Sequence, residues 1–236
     1  AYSNRENGAV VLLQKTGDFY RVDTEISRES GLIIVGKQPE LTARDIDGDG
    51  VPEIVATFSD NFNNRPASWV FRVTDDHLQL ISPTEEDGGT VLGEPQFLDL
   101  NGKGTLDMID NVVVSRTRDD VKVEQEHYAL RDGKYVALEP VDYYETFYTG
   151  GKTVTRTFSV PRASLRKAAR LILVNGDELG APYRVDTGTV TLNGVTVSVQ
   201  QGTRAARVKL KRRNILTVSL HGGKHGARVA VVVRHD

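Results

Sequence analysis

Hydrophobic and polar positions alternate in short runs along the first half of the chain, and turn residues separate the runs. A period of two is typical of half-buried β-strands, and Asp or Gly between two such runs is typical of a hairpin. The pattern therefore predicts three hairpins in this half. Their paired strands are Val10–Leu13 with Phe19–Val22, Trp69–Val73 with Leu78–Ile81, and His127–Leu130 with Tyr135–Leu138.

The second half shows the same alternation in about seven short runs within about 80 residues, which is typical of an antiparallel β-sandwich or jelly roll. Asn193-Gly194 is the strongest turn signal, because both residues accept the positive φ of a type I′ hairpin. The predicted fold class is therefore all-β throughout. The predicted strands here are Thr153–Val160, Leu171–Val174, Thr189–Leu192, Val195–Val199, Arg207–Leu210, Ile215–Leu220 and Val229–Val233.

An acidic motif occurs twice in the first half, 54 residues apart. Asp45 to Glu53 reads DIDGDGVPE and Asp99 to Asp107 reads DLNGKGTLD, and each precedes a strand-like run. Together with its hairpin, the repeating unit has about 50 residues, which fits a blade of a β-propeller. Two and a half units are too few for a ring of about 4–8 blades. We therefore expect either a fragment of a longer array or an open arrangement that another element caps.

The first motif has the spacing of a calcium loop. Carboxylates stand at its positions 1, 3, 5 and 9, and glycines at positions 4 and 6 permit the positive φ of a tight curl. Such a loop can supply the about six to eight oxygen ligands that Ca²⁺ takes. The alternative is a solvated acidic turn without an ion. The predicted calcium ligands are the side chains of Asp45, Asp47, Asp49 and Glu53 and the backbone carbonyl of Val51.

The second motif departs from this pattern at its fifth position. Lys103 stands there in place of a carboxylate, and its ammonium would repel a cation. Asp99, Asn101 and Asp107 still match positions 1, 3 and 9. We expect a degenerate site that keeps its turn through its two glycines.

The first motif also departs from an EF-hand loop, whose bidentate Glu stands at position 12 between two helices; here position 12 is Ala56 and the flanks are strand-like. The DxDGDGxxE string and its hairpins resemble the FG-GAP/VCBS repeats of the integrin α-subunit propeller and of many bacterial surface proteins. This resemblance covers roughly residues 8–140 and implies blades stabilised by Ca²⁺. Residues 153–234 resemble a β-sandwich module of bacterial exported proteins, which implies a fold and no chemistry. The segments that carry this second resemblance are Leu173–Asp177, Val190–Val195 and Asn214–Val218.

Composition and charge divide the chain and narrow its class. Of the 236 residues, 39% are hydrophobic and 26% are charged, which is typical of a globular protein. The sequence has no cysteine, which excludes disulfides, zinc–thiolate sites and thiol nucleophiles. Residues 1–151 hold 14 Lys and Arg against 28 Asp and Glu, a charge of −14, whereas residues 152–236 hold 16 against 4, a charge of +12. We therefore expect an acidic repeat domain at 1–150 and a basic β-sandwich domain at 151–236.

The expected function is that of an exported, non-catalytic, calcium-binding interaction or adhesion protein, secreted or held at the cell surface or in the periplasm with its signal peptide removed. Its partner is a protein or a glycan. The alternative is a carbohydrate-binding accessory module of an extracellular degradative enzyme, and a hydrolase with an unrecognised site is a third class. Sugar could bind at the aromatic cluster Tyr143–Tyr148, which also fits packing between domains. The basic segment Arg207–Arg213 could hold acidic polysaccharide, anionic lipid or nucleic acid, and it also fits a solvated strand or a face docked on the acidic half. No membrane span and no nucleic acid are expected, because no apolar run approaches roughly 20 residues and no nucleic-acid-binding motif is present.

Overall fold

The computed structural model describes residues 7–8, 13–16, 19–22, 34–35, 37–59, 66–74, 78–83, 92–93, 95–116, 121–150, 152–176 and 183–235. Within these ranges the strands pair in antiparallel fashion, and a 3₁₀ helix spans Arg162–Arg166. The all-β fold class predicted from the alternation is therefore confirmed.

The first half forms two short pairs of strands and two four-stranded sheets. β1 (Asn7–Gly8) pairs with β4 (Ile34–Val35), and β2 (Leu13–Thr16) pairs with β3 (Phe19–Val22). The first four-stranded sheet has the order β5 (Lys37–Arg44), β6 (Glu53–Ser59), β7 (Pro66–Val73), β8 (Leu78–Leu80). The second has the order β12 (Lys134–Ala137), β11 (Val121–Arg131), β10 (Asp107–Arg116), β9 (Gln96–Leu98).

The three predicted hairpins correspond to β2–β3, β7–β8 and β11–β12. In the first, the strand that pairs with Phe19–Val22 is Leu13–Thr16, which shares only Leu13 with the predicted Val10–Leu13. Residues 10–12 of the first hairpin and the predicted tips at 17–18 and 75–76 lie outside the described residues. At the third tip Asp132 and Gly133 have φ of 50° and 77°, so the chain reverses through two residues in the left-handed region. These conformations are the ones that Asp and Gly adopt most readily, which explains why the local sequence predicts the turn.

The second half adds eight strands in two further four-stranded sheets. The third sheet has the order β13 (Tyr143–Tyr148), β20 (Arg228–His235), β15 (Ala169–Asn175), β18 (Gly202–Val208). The fourth has the order β14 (Val154–Ser159), β19 (Arg213–His221), β16 (Thr187–Leu192), β17 (Val195–Ser198). The Asn193-Gly194 turn joins β16 to β17 with φ of 51° and 93°, as its sequence predicts. The predicted strand Arg207–Leu210 is misplaced: β18 ends at Val208, because the pairing with β15 runs from Gly202 to Val208.

Buried hydrophobic clusters link the four-stranded sheets in chain order. One cluster combines Val55 and Val70 of the first sheet with Met108 and Tyr128 of the second. Two further clusters join the second sheet to the third and the third to the fourth. The cluster between the second and third sheets contains Leu98, Leu100, Ile109, Val141, Tyr144, Ile172, Val174, Ala230 and Val232.

The third sheet is buried on both of its faces. Along β15, Leu171 and Leu173 belong to the cluster shared with the fourth sheet, whereas Ile172 and Val174 belong to the cluster shared with the second. β20 alternates in the same way. This explains why both strands are continuous apolar runs, since successive side chains of a strand point to opposite faces and here both faces lie against protein.

The charge boundary at residue 150 does not coincide with a boundary between sheets. β13 precedes it, yet β13 pairs with β20 from Tyr143↔Val233 to Tyr148↔Arg228. The third sheet therefore combines a strand from the acidic half with three strands from the basic half. Gly151, at the centre of the predicted boundary, lies outside the described residues.

Candidate metal site

The first acidic motif forms a curled loop between β5 and β6, and its first residue closes the curl. The Asp45 carboxylate accepts hydrogen bonds from the backbone N–H of Gly48 (2.8 Å) and of Gly50 (3.0 Å). The two glycines have φ of 81° and 88°, which confirms the conformation expected for positions 4 and 6. A side chain at either position would be strained, because L-residues rarely adopt this region.

Three aspartates converge on the inside of this loop. Asp47 Oδ1 accepts a hydrogen bond from the N–H of Asp49 (3.1 Å), and Asp49 Oδ1 accepts one from the N–H of Val51 (2.7 Å). One carboxylate oxygen from each of Asp45, Asp47 and Asp49 lies within 4.8 Å of the others. Carboxylates this close repel one another unless a cation offsets their charge, so the loop concentrates negative potential at one point.

Glu53, the ninth residue of the motif, is the first residue of β6 and is 1% exposed. Its Oε2 accepts the backbone N–H of Ile46 (2.9 Å), and its Oε1 accepts Nε–H of Arg72 (3.3 Å). Burial raises the pKa of the Glu53 carboxyl above its ordinary value, and these two hydrogen bonds oppose the rise. Glu53 thus ties the end of the loop to its beginning. Its role as a calcium ligand, and that of the Val51 carbonyl, stay predictions.

Arg72 belongs to the candidate site, although the sequence analysis did not predict it there. It lies on β7, and its Nη2 is 2.5 Å from Asp47 Oδ2, so one guanidinium bridges the third and ninth residues of the motif. The register of the sheet places it there, because Ile54 pairs with Phe71 and the adjacent residues are Glu53 and Arg72. The hairpin pattern contained this signal, since an arginine interrupts an otherwise apolar strand.

The second motif folds into the same curl without the same chemistry. Asp99 accepts hydrogen bonds from the N–H of Gly102 (2.7 Å) and Gly104 (3.0 Å), and these glycines have φ of 74° and 88°. Lys103 donates its backbone N–H to Asn101 Oδ1 (2.8 Å), as Asp49 does to Asp47. The conformation therefore depends on positions 1, 3, 4 and 6, while position 5 decides the charge of the loop.

The ninth residue of the second motif, Asp107, contacts an imidazole and a guanidinium. Asp107 Oδ2 is 3.1 Å from Nε2 of His127 and 3.6 Å from Nη1 of Arg234. His127 belongs to the same sheet, whereas Arg234 belongs to β20 of the third sheet. Asp107, the buried carboxylate of this motif, therefore contacts residues from both halves of the chain.

The two loops contact each other directly. The N–H of Leu106 donates to the carbonyl of Ile46 (2.7 Å), and Thr105 Oγ1 donates to the carbonyl of Asp47 (3.3 Å). On the far side of the second loop, Thr203 Oγ1 donates to the carbonyl of Asp99 (2.5 Å). A chain of hydrogen bonds thus runs from the first loop through the second to the third sheet.

The aromatic cluster Tyr143–Tyr148 is mainly a packing element. Tyr144 and Phe147 are buried on opposite faces of β13, and Tyr143 stacks on Phe158 with ring centroids 4.5 Å apart. Tyr148 is 60% exposed. One ring of the cluster is therefore open to a ligand.

Two residues of the basic segment line a shallow groove on the outer face of the fourth sheet. Lys211 and Arg213 line a volume of about 330 Å³ together with Thr191, Thr217 and Ile215. Both cations are exposed, and Ile215 is 53% exposed. In the part of the chain that the structure describes, neither cation has a carboxylate partner.

Within the described ranges, no helix has the length and apolar character needed to cross a membrane. No protein-family model matches the chain, and no curated protein is significantly similar to it.

Proposed function

We propose that residues 45–53 bind one calcium ion that stabilises the stack of sheets. The observation that carries this proposal is the convergence of three aspartate oxygens within 4.8 Å on a loop whose glycines hold it curled. The donors of the loop are all oxygens, and the chain has no cysteine. Oxygen-only ligand sets suit hard cations such as Ca²⁺ better than zinc or copper, which favour sulfur and nitrogen.

The ion would act on structure and not on catalysis. The first loop hydrogen-bonds to the second, and the second hydrogen-bonds to the third sheet, so stiffening of the first loop is transmitted along the stack. In this proposal the first two four-stranded sheets are blade-like repeats, and the third and fourth form a β-sandwich that covers their open end. The chain then serves as an exported, non-catalytic interaction or adhesion module.

Thermal unfolding with and without calcium tests the proposal. Calcium at about 100 times its Kd raises the unfolding free energy by about 2.7 kcal/mol, which is a rise of several degrees in Tm. Asp49→Asn keeps the acceptor for the Val51 N–H and removes a charge, so it reduces the rise. Asp132→Asn, in an exposed turn where φ of 50° suits Asn, is the matched control and keeps the rise. A wild-type Tm that is identical in calcium and in chelator refutes the proposal.

A carbohydrate-binding role is the second candidate, and the groove on the fourth sheet favours it. Two cations without a carboxylate partner among the described residues, two threonine hydroxyls and an exposed isoleucine share this groove. No Asp or Glu occurs in the four strands of the sheet. Such a surface suits an acidic polysaccharide, whose carboxylates or sulfates pair with the cations while a sugar ring covers the apolar side chain.

A glycan array separates the two roles. Binding of uronate-containing or sulfated glycans that is lost in the double variant Lys211→Ala/Arg213→Ala supports the second candidate. Arg207→Ala, an exposed cation on β18 of the other sheet, serves as the control and retains binding. If no glycan binds, proteins remain as the class of partner. If glycan binding is lost in Tyr148→Ala and kept in the double variant, the sugar site lies at β13.

A further inference from the structure

Arg72 is a cation built into the candidate calcium loop. Its Nη2 contacts Asp47 Oδ2 at 2.5 Å, and its Nε contacts Glu53 Oε1 at 3.3 Å. The side chain of Arg72 is 22% exposed, and the side chains of Asp47 and Glu53 are 19% and 1% exposed. The two contacts of Arg72 are thus largely shielded from water. A charge-assisted contact is stronger in such a place than on an open surface.

The structure holds this arginine from several sides. Its backbone is fixed on β7, where Arg72 pairs with Gln79 of β8. A Cβ added at Gly133, at the tip of the next repeat's hairpin, would lie 3.1 Å from Arg72 Nη1. The guanidinium is therefore confined between the loop and the neighbouring hairpin, and it cannot swing freely into solvent.

Both oxygens of Asp47 are already engaged in this arrangement. Oδ1 accepts the N–H of Asp49 at 3.1 Å, and Oδ2 accepts Arg72. The second loop has no such contact in the described residues: its third position is the neutral Asn101, and the imidazole of His127 and the guanidinium of Arg234 contact its ninth residue alone. A cation thus contacts the interior of the loop in the repeat with the complete set of aspartates.

We infer that Arg72 is an internal counter-cation that neutralises Asp47 when no metal is bound, so that calcium must compete with it. The inference rests on the proposed function. A divalent ion on Asp47 would face the guanidinium across one carboxylate. Even with the full screening of bulk water, Coulomb repulsion at such a separation corresponds to roughly a tenfold loss in affinity. Arg72 also stabilises the metal-free loop by offsetting the repulsion among the carboxylates. The loop therefore stays folded without calcium and binds it more weakly than its ligand set alone would allow.

The test is calcium titration calorimetry and thermal unfolding of the full chain carrying Arg72→Gln. Removal of the charge tightens calcium binding roughly tenfold, lowers the Tm in chelator, and enlarges the rise in Tm that calcium produces. Arg72→Lys keeps the charge but cannot reproduce both contacts of the guanidinium, so its calcium affinity lies between those of wild type and Arg72→Gln. Arg156→Gln, which breaks the pair between Arg156 of β14 and Glu145 of β13, changes neither quantity.

The outcomes distinguish this inference from the function on which it rests. Calcium binding by wild type with equal or weaker binding by Arg72→Gln overturns the inference alone, because Arg72 would then support the bound state. Absence of calcium binding by both proteins overturns the proposed function and the inference together. If Arg72→Gln does not fold, Arg72→Met keeps the length of the aliphatic stem and carries the same comparison.

Discussion

Replacement of Lys103 by Asp should convert the second acidic loop into a second calcium site. The two loops share their glycine conformations and their hydrogen bonds to the first and third residues of the motif. Lys103 is exposed, so the substitution disturbs no packing. The change therefore isolates the charge at position 5 from the conformation of the loop.

The expected magnitude follows from linkage between binding and unfolding. A second ion at 100 times its Kd adds about 2.7 kcal/mol to the unfolding free energy. For a chain of this size 1 kcal/mol corresponds to about 2–4 °C in Tm, so the calcium-dependent rise grows by roughly 5–10 °C. In chelator the variant is less stable than wild type, because three acidic or amide oxygens then face one another without the nearby ammonium.

Titration calorimetry measures the outcome directly as stoichiometry. The variant should bind one more calcium ion per chain than wild type. Lys134→Asp, an equally exposed position in the β11–β12 hairpin, makes the same change in net charge and should leave the stoichiometry unaltered. An unchanged stoichiometry in the Lys103 variant would refute the reasoning, because it would show that the aspartates are not what decides binding.

Three further measurements follow from the structure. Gly48→Ala places a Cβ on a residue with φ of 81°, 3.4 Å from the carbonyl oxygen of Gly104. We therefore expect the free energy of unfolding, measured by chemical denaturation, to fall by about 1–2 kcal/mol and calcium binding to weaken. An unchanged denaturation midpoint would contradict the geometry of the curl. Ile172→Ala opens a cavity between the second and third sheets at a residue 1% exposed, and it should cost about 2–5 kcal/mol in a single cooperative transition; two separate transitions would show that the halves unfold independently. Burial raises the pKa of Asp142, so its charged form destabilises the fold at neutral pH and stability from this group increases as the pH falls through the raised pKa. Asp142→Asn should therefore flatten the dependence of Tm on pH between about pH 7 and pH 4. An unaltered slope would show that other groups cause this dependence.

Asp142 of the acidic half contacts His235 of the basic half. Its Oδ2 is 3.0 Å from His235 Nε2. This contact favours the charged form of the Asp142 carboxyl. It lowers the pKa of Asp142 less than burial raises it.

The local sequence was sufficient for the curl of both acidic loops and for the hairpins. Glycines at positions 4 and 6 and an acid at position 1 determine the curl within a few residues, since the φ of each glycine and the reach of one carboxylate are local properties. Asn193-Gly194 determines its turn for the same reason. The convergence of Asp45, Asp47 and Asp49 follows from this curl and could be predicted.

The position of Arg72, the double burial of β15 and the pairing of β13 with β20 depended on the tertiary structure. Arg72 reaches Asp47 through the register of two strands, and Arg234 reaches Asp107 from a strand more than a hundred residues away in sequence. β13 lies in the acidic half, but the strand with which it pairs, β20, lies in the basic half. The sequence by itself determined what depends on neighbouring residues, whereas only the folded chain decided which distant faces and charges meet, because those contacts depend on how whole sheets bury their surfaces against one another.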